Sequence, residues 1–561
     1  MRQTSNRPLH FALLALLLVM APAGSRLRAA GEEGAVERLL DRIVEQEQLF
    51  IQDMRGHTAV LETYIQEIPD VGKGDEQALR DHYFLGRLDL SRGLNYTPLV
   101  NRTEPTGGWK RMLGKNREMV FFTAGFAQMI LPDADSIDRN KYHFEYVRRE
   151  FLGEIRCLLF DVSPLDKKAP GKFIGRIWVD DKELRIVRFN GTYTHSSASR
   201  QYFHFDSWRV NVAPGVWVPA YIYVEESESS PKSANMPRFK AQTRLWGYNA
   251  AKSGRLDELA SIAVEAEKPL KDESAANHIS PLESQRSWER QAEVNILERL
   301  EKAGLLAPPG SVDEVLNTVI NNLIVTNNLN IQAAGRVLLT TPLETFAVGN
   351  TIVISRGMLD VLPDEASLAM VLSDELAHIA LGHRTETHFA FSDQTMLGDA
   401  ELLKRLQLTR PPNEISSAGA KAVEMLSKSP YHDKLANAGL FLRALNSRSA
   451  QLPNLIRANL GNGLANGTAL VRMEPLAAQA PALDQDKLEQ IAALPLGSRI
   501  RLDPWTNAVV MLKAKPVSLI SARDKLPFEI TPFIIPLTRA GASVTDGEQD
   551  PASSTSAQRK R

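Results

Sequence analysis

Between residues 118 and 248, apolar and polar side chains alternate in short runs, the period-two pattern of half-buried strands. The clearest runs are Glu154–Val162, Phe173–Val179, Leu184–Phe189, Gln201–Phe205 and Trp217–Val224. Asp180-Asp181 supplies a tight turn between two of them. Ile174, Arg176 and Trp178 beside Leu184 and Ile186 predict antiparallel pairing with one wetter face. Upstream, Val36–Leu49 and Ala59–Glu67 read as helices, and the Gly-, Pro- and Asn-rich stretch Gly93–Gly114 reads as loop. Residues 31–117 are thus expected to be a helical and loop segment, 118–250 an antiparallel β domain, and the polar stretch 251–290 a linker with short helical parts.

Helical periodicity takes over near Ser287, with Val294, Leu297, Leu300 and Leu305 on a partial stripe. A second helix spans about Val312–Asn327, capped by Ser311 or Asp313. Arg336–Thr340 and Thr351–Ser355 read as strands, with Gly349-Asn350 turning Phe346–Val348 into the second. Ser416–Leu445 is helical with a break near Ser429-Pro430, and Gly461–Gly467 is a glycine-rich turn. Residues 456–540 read as a small β-rich segment, with a helix at Asp484–Ala493 and strands at Arg499–Leu502, Ala508–Leu512 and Phe528–Ile530. The polar tail 541–561 reads as disordered. The fold class is α+β multidomain: an antiparallel β-rich N-terminal domain, a mostly helical domain over 291–455 and a small β-rich C-terminal segment.

Composition changes this picture little. At 561 residues and 62.2 kDa the chain is too long for one core. A net charge of -1 argues against a broad nucleic-acid surface. The N-terminus does stand out. Arg2 and Arg7 precede the apolar run Phe11–Met20, followed by small residues, which is the layout of a secretory signal peptide over 1–30. Export to a bacterial periplasm or cell envelope is expected, without a transmembrane span once that segment is removed, since no later stretch reaches the roughly 18 apolar residues needed. The single cysteine, Cys157, excludes an intramolecular disulfide and has the apolar neighbours of strand core. Tyr202, Phe203, Phe205 and Trp208 likewise read as strand core.

The chemistry concentrates in Val361–Glu386, VLPDEASLAMVLSDELAHIALGHRTE. Pro363, Asp364 and Glu365 suit a helix start. At 100° per residue, Asp374 and His378 lie about 40° apart on one face, and the helix is apolar nearly all round. Burial is tolerable for Asp374, Glu375 and His378 only if they are paired, hydrogen-bonded or ligating. Side chains at i and i+4 can share one cation, with the intervening Glu375 holding a water beside it.

This region resembles the M48 family of zinc metallopeptidases over about 295–450. Ser355–Leu359, Asp364–Leu372, Glu375-Leu-Ala-His378 and Gly382-His383 carry the resemblance, with Asp374 where the family has the first histidine of H-E-x-x-H. The resemblance implies a zincin-like gluzincin fold and one Zn2+ per chain, with no other cofactor. It implies Glu375 as general base, and Asp374, His378 and Asp433 as metal ligands. Asp433 stands in the best match to the family's E-x-x-A-D phrase, and Asn437 takes the place of its aspartate beside the metal shell. His383 is expected to support the ligands by hydrogen bonding. Glu344, Thr345, Phe346 and Ala347 occupy the edge that grips substrate backbone. The aspartates are shorter than the residues they replace, and extra carboxylate charge makes a weaker Lewis acid. Two readings therefore stand. One is a metal-dependent endopeptidase-like hydrolase of polypeptides, slowed by its shortened ligands. The other is an inactive homologue serving as a polypeptide- or lipoprotein-binding module in envelope quality control. Separately, Gly171–Tyr193 resembles the curved sheet of lipoprotein carriers, which implies an apolar or lipidated ligand in the β domain; a packed β domain is the alternative.

Overall fold

The structure is a computed structural model that describes residues 23–69, 77–91, 93–100, 121, 124, 126–134, 137–194, 203–226, 238–248, 280–387, 389–392, 397–406, 408–466, 469–470, 472–497, 499–513 and 517–540. Most of the expected signal peptide, most of the 251–290 linker and the 541–561 tail lie outside these residues. Among them, no helix is long and apolar enough to cross a membrane.

The N-terminal half is one ten-stranded antiparallel sheet. Its strands are β1 (Thr58–Ile68), β2 (Arg80–Asp89), β3 (Asn95–Pro98), β4 (Tyr142–Leu152), β5 (Ile155–Pro164), β6 (Phe173–Asp180), β7 (Ile186–Tyr193), β8 (Phe203–Ala213), β9 (Val216–Glu226) and β10 (Arg238–Trp246). They are ordered β3-β2-β1-β10-β9-β8-β7-β6-β5-β4. The sheet therefore begins sixty residues earlier than the alternation at 118 suggests. Ala59–Glu67 is strand, not helix, and 80–89 is also strand, within the stretch 31–117 expected to be helical and loop. The physical reason is that β1 is covered on both faces, so its polar Glu62 and Gln66 sit where an alternating pattern would demand apolar residues. Its partner β10 is also distant in sequence, with Val60 opposite Trp246.

One face of the sheet packs under α1 (Ala23–Met54) and the turn Ala127–Ile130. Ala59, Leu61, Ile65, Phe173, Phe189 and Phe205 meet Leu40, Ile43 and Phe50 there. Fully burying one such aromatic is worth roughly 1.5–3 kcal/mol. The chain's own α1 thus covers this apolar face. A buried pair, Arg209 with Glu47 at 2.7 and 2.8 Å, pins the helix to β8. The opposite face, with Val60, Tyr64, Trp208 and Trp246, shares a core with the C-terminal half. Cys157 lies in that core, its thiol pushed up to about 12 chiefly by burial.

The central region comprises α2 (Pro281–Lys302), α3 (Ser311–Thr326), β11 (Ala334–Leu338), β12 (Thr345–Val348), β13 (Thr351–Ser355), α4 (Arg356–Val361), α5 (Glu365–Ala380), α6 (Asp399–Arg405), α7 (Pro412–Ser427) and α8 (Leu435–Arg448). Its small sheet is ordered β11-β13-β12, parallel then antiparallel, which leaves β12 at the edge. α5 runs through the middle, packed against β12, α3, α7 and α8. Two small hairpins follow, β14 (Ala465–Asn466) with β15 (Ala469–Leu470), and β16 (Ile500–Leu502) with β17 (Val509–Met511). The helix expected at Asp484–Ala493 is turn and coil.

Candidate functional site: a buried acidic helix closed by an arginine

α5 starts where its sequence says it should. Asp364 caps it, accepting from the Ser367 amide at 2.8 Å. Every residue from Ala366 to His378 is buried, and Asp374, Glu375 and His378 are 0% exposed. The required partner for the two carboxylates is Arg472, also buried and supplied from beyond β15. Its Nε donates to Asp374 Oδ2, and its Nη2 to Glu375 Oε1 at 2.6 Å. Nη1 donates to Thr345 Oγ1 at 2.9 Å and to the Asn462 carbonyl at 3.1 Å. Thr345 Oγ1 in turn donates to Glu375 Oε1 at 2.8 Å.

Two carboxylates share one guanidinium and do not gain equally. Burial raises the Asp374 carboxyl above the usual carboxylate range, and Arg472 offsets only part of that. For Glu375, burial also pushes upward, but Arg472, then His378 and the Thr345 hydroxyl outweigh it and hold the acid below its ordinary value. Burial, with Arg472, Arg410 and His383 nearby, pulls His378 down to about 4, so its imidazole is neutral.

The edge expected to grip a substrate is occupied by the protein itself. Glu344 Oε2 accepts from the amides of Asn459 and Leu460 at 2.8 Å and of Gly461 at 3.2 Å. Thr345 makes an antiparallel bridge with Asn462. Phe346 and Ala347 are buried. The glycine-rich turn at 461–467 is explained at Gly461, where a Cβ would stand 2.5 Å from the Thr345 carbonyl oxygen and 2.7 Å from Phe346 Cβ.

At the far end of α5, His378 and His383 meet, Nδ1 to Nδ1 at 2.8 Å. Glu414, from the first turn of α7, brings its Oε2 to 3.9 Å from His383 Nδ1. Ligand atoms of these three residues all lie within 4.8 Å of one another, the one such cluster among the described residues. Asp433 does not join Asp374 and His378. Its side chain is 83% exposed and pairs with His432 at 3.0 Å. Asn437 instead donates to Asp364 Oδ2 at 2.9 Å, at the opposite end of α5 from His378. The zinc set implied for a gluzincin, Asp374, His378 and Asp433, therefore does not fit: its members do not converge, and a guanidinium lies against the first ligand and the base. His388 lies outside the described residues. Arg472 carried a faint sequence signal, an arginine set between the apolar Ala469-Leu-Val and Met473. Glu414 follows a Pro411-Pro412 helix start.

An acidic helix packed beneath a small edge-stranded sheet, with a histidine–glutamate cluster at its end, defines a metallopeptidase-like domain. Residues 311–411 match Peptidase family M48, so a domain of that family is present there. No curated protein matches the chain. Two solved structures share partial similarity with the chain. A DUF1329 family protein from Desulfovibrio piger is 11% identical, with a TM-score of 0.18, over 36% of this chain and 90% of that one. MucB in complex with MucA(peri) is 10% identical, with a TM-score of 0.11, over 37% of this chain and 93% of that one.

Proposed function

We propose that this protein is an exported, non-hydrolytic M48-type module, in which the peptidase frame is kept without bond cleavage. The observation that carries this is Arg472. A general base must reach a water and a reacting carbonyl. Glu375 instead holds an ion pair with no exposure, and its neighbour Asp374 is held by the same guanidinium. The β12 edge is also taken, by Asn462. Export rests on the N-terminal sequence pattern alone. An apolar ligand in the β domain is not part of this reading, because α1 covers the apolar face that would hold it.

The test is cleavage of an unstructured, fluorogenic casein by the full-length protein with zinc supplied, compared with Glu375→Gln. The expected result is no difference between the two. Turnover by the wild type that Glu375→Gln abolishes would overturn the proposal.

A further inference from the structure

α5 ends in a turn that aims a second histidine back at the first. Leu381 N–H donates to the Ala377 carbonyl, Gly382 N–H to Ile379, and His383 N–H to the His378 carbonyl at 3.0 Å. That last bond closes a Schellman-type reversal, which needs the left-handed Gly382 at φ +73°. The reversal stacks the two imidazoles edge to face, with centroids 5.0 Å apart and their Nδ1 atoms 2.8 Å apart.

One proton between those nitrogens satisfies that pair and nothing else. Glu414 Oε2 is buried and has no hydrogen-bond partner among the described residues. It stands 3.9 Å from His383 Nδ1, too far for a hydrogen bond and close enough to share a cation. Zinc bonds to imidazole nitrogen and carboxylate oxygen are about 2.0–2.2 Å long, so two tetrahedral ligands lie about 3.3 Å apart. The two nitrogens must open from 2.8 Å and the Glu414 oxygen close from 3.9 Å toward that spacing, with all three ligand atoms already within 4.8 Å of one another. The opposing feature is Arg410, whose Nη1 is also 3.9 Å from Glu414 Oε2. Its guanidinium, however, is already held by the Arg384 carbonyl and the Thr385 hydroxyl.

We propose that His378 Nδ1, His383 Nδ1 and a Glu414 carboxylate oxygen form a site for one zinc-class divalent cation, separate from the Asp374–Glu375–Arg472 group. His383 and Glu414 side chains are 15% and 27% exposed, so the cluster lies close to the surface, unlike the fully buried Asp374 and Glu375. The ion would clasp the C-terminus of α5 to the first turn of α7. It takes no part in the Glu375 ion pair and does not depend on the non-hydrolytic reading.

The test is equilibrium dialysis of untagged full-length protein against Zn2+, with elemental analysis of wild type, His383→Gln, Glu414→Gln and Glu375→Gln. The expected result is one zinc per chain, affinity reduced at least about tenfold in His383→Gln and Glu414→Gln, and Glu375→Gln within about twofold of wild type. X-ray absorption at the zinc edge should show two imidazoles and oxygen in the first shell. The absorption spectrum reads the ligands in the wild type even if a variant misfolds. Wild type binding no more tightly than His383→Gln would reduce the cluster to a shared proton and sink the proposal. That result would leave the non-hydrolytic reading untouched. Zinc lost in Glu375→Gln but kept in His383→Gln would place the ion at the helix centre and sink it differently. Only casein cleavage abolished by Glu375→Gln bears on the non-hydrolytic reading.

Discussion

Arg472 is the residue on which the centre of the molecule depends. A buried ion pair adds little over a well-packed apolar group, but removing one partner strands the other's charge. Arg472→Met strands two carboxylates on α5 and is expected to cost about 3–5 kcal/mol, read as a lower urea midpoint. Asp433→Asn, at an 83% exposed side chain, should move that midpoint by no more than about 0.5 kcal/mol equivalent. If Asp433→Asn proved the costlier change, the assignment of Arg472 as the partner of Asp374 would fall. His378 adds a pH dependence whose sign is fixed. Its folded value of about 4 lies below the ordinary 6.5, so between these pH values the unfolded chain holds the extra proton. Stability from this group is therefore full above pH 6.5 and falls as pH drops toward about 4. Asp81 opposes it: burial raises its carboxyl to about 6, so protonation favours the fold as pH falls below that value. The clean measurement is the difference between wild type and His378→Asn in urea stability at pH 7 and pH 4.5. Wild type should lose more.

Among the elements, the strap after α8 and the edge strand β12 are fitted to each other by a glycine. Gly461→Ala would push a methyl into the Thr345 carbonyl and Phe346, both in a packed strand, and should cost about 1–3 kcal/mol. Amide exchange should then quicken at Leu460–Asn462. Unchanged protection there would show that the strap does not depend on the close approach. The same contrast shows how far the elements could be read beforehand. α3, α5, β13 and the break between α7 and α8 follow from local signals: caps, periodicity, a proline. The occupied site does not. Burial of Asp374 and Glu375 demanded a partner, but Arg472 lies nearly a hundred positions away in no motif, and charge complementarity carries no sequence spacing. Asp433 matches the E-x-x-A-D phrase by its spacing to Ala436, whereas its solvent exposure follows from the short 3-10 turn His432–Lys434, which carries no buried residue. β1 and β2 were missed for the related reason that a strand buried on both faces loses its alternation.

At the scale of the whole molecule, the two halves are joined by buried charge as well as apolar packing. Arg356 on α4 donates to Glu62 of β1 at 2.6 Å and to Asp360 at 3.3 Å. Glu62 also accepts from the Thr341 amide at 2.6 Å, and from Tyr83 on β2 at 2.9 Å. Asp360 accepts from the amides of Gly497, Arg499 and Ile500 at 3.1, 3.3 and 3.0 Å. Arg244 on β10, pulled down to about 10 by burial, donates to the Gly497 carbonyl at 2.9 Å. The C-terminal segment then returns to the sheet, where Gln66 bonds the Phe528 carbonyl and Ile530 amide at 2.8 and 2.9 Å, and Glu154 the Leu537 carbonyl at 2.8 Å. Excising the central helical region therefore leaves Arg356 and Asp360 without β1 and exposes the core shared by both halves. A fragment of residues 280–456 should keep helical far-ultraviolet dichroism, lose near-ultraviolet signal and bind a hydrophobic dye, the signature of lost packing. The full chain should melt in one transition, by calorimetry and by tryptophan fluorescence alike. Two separated transitions, with the fragment matching one of them, would show that the halves are independent and that the Glu62–Arg356 link only decorates their contact.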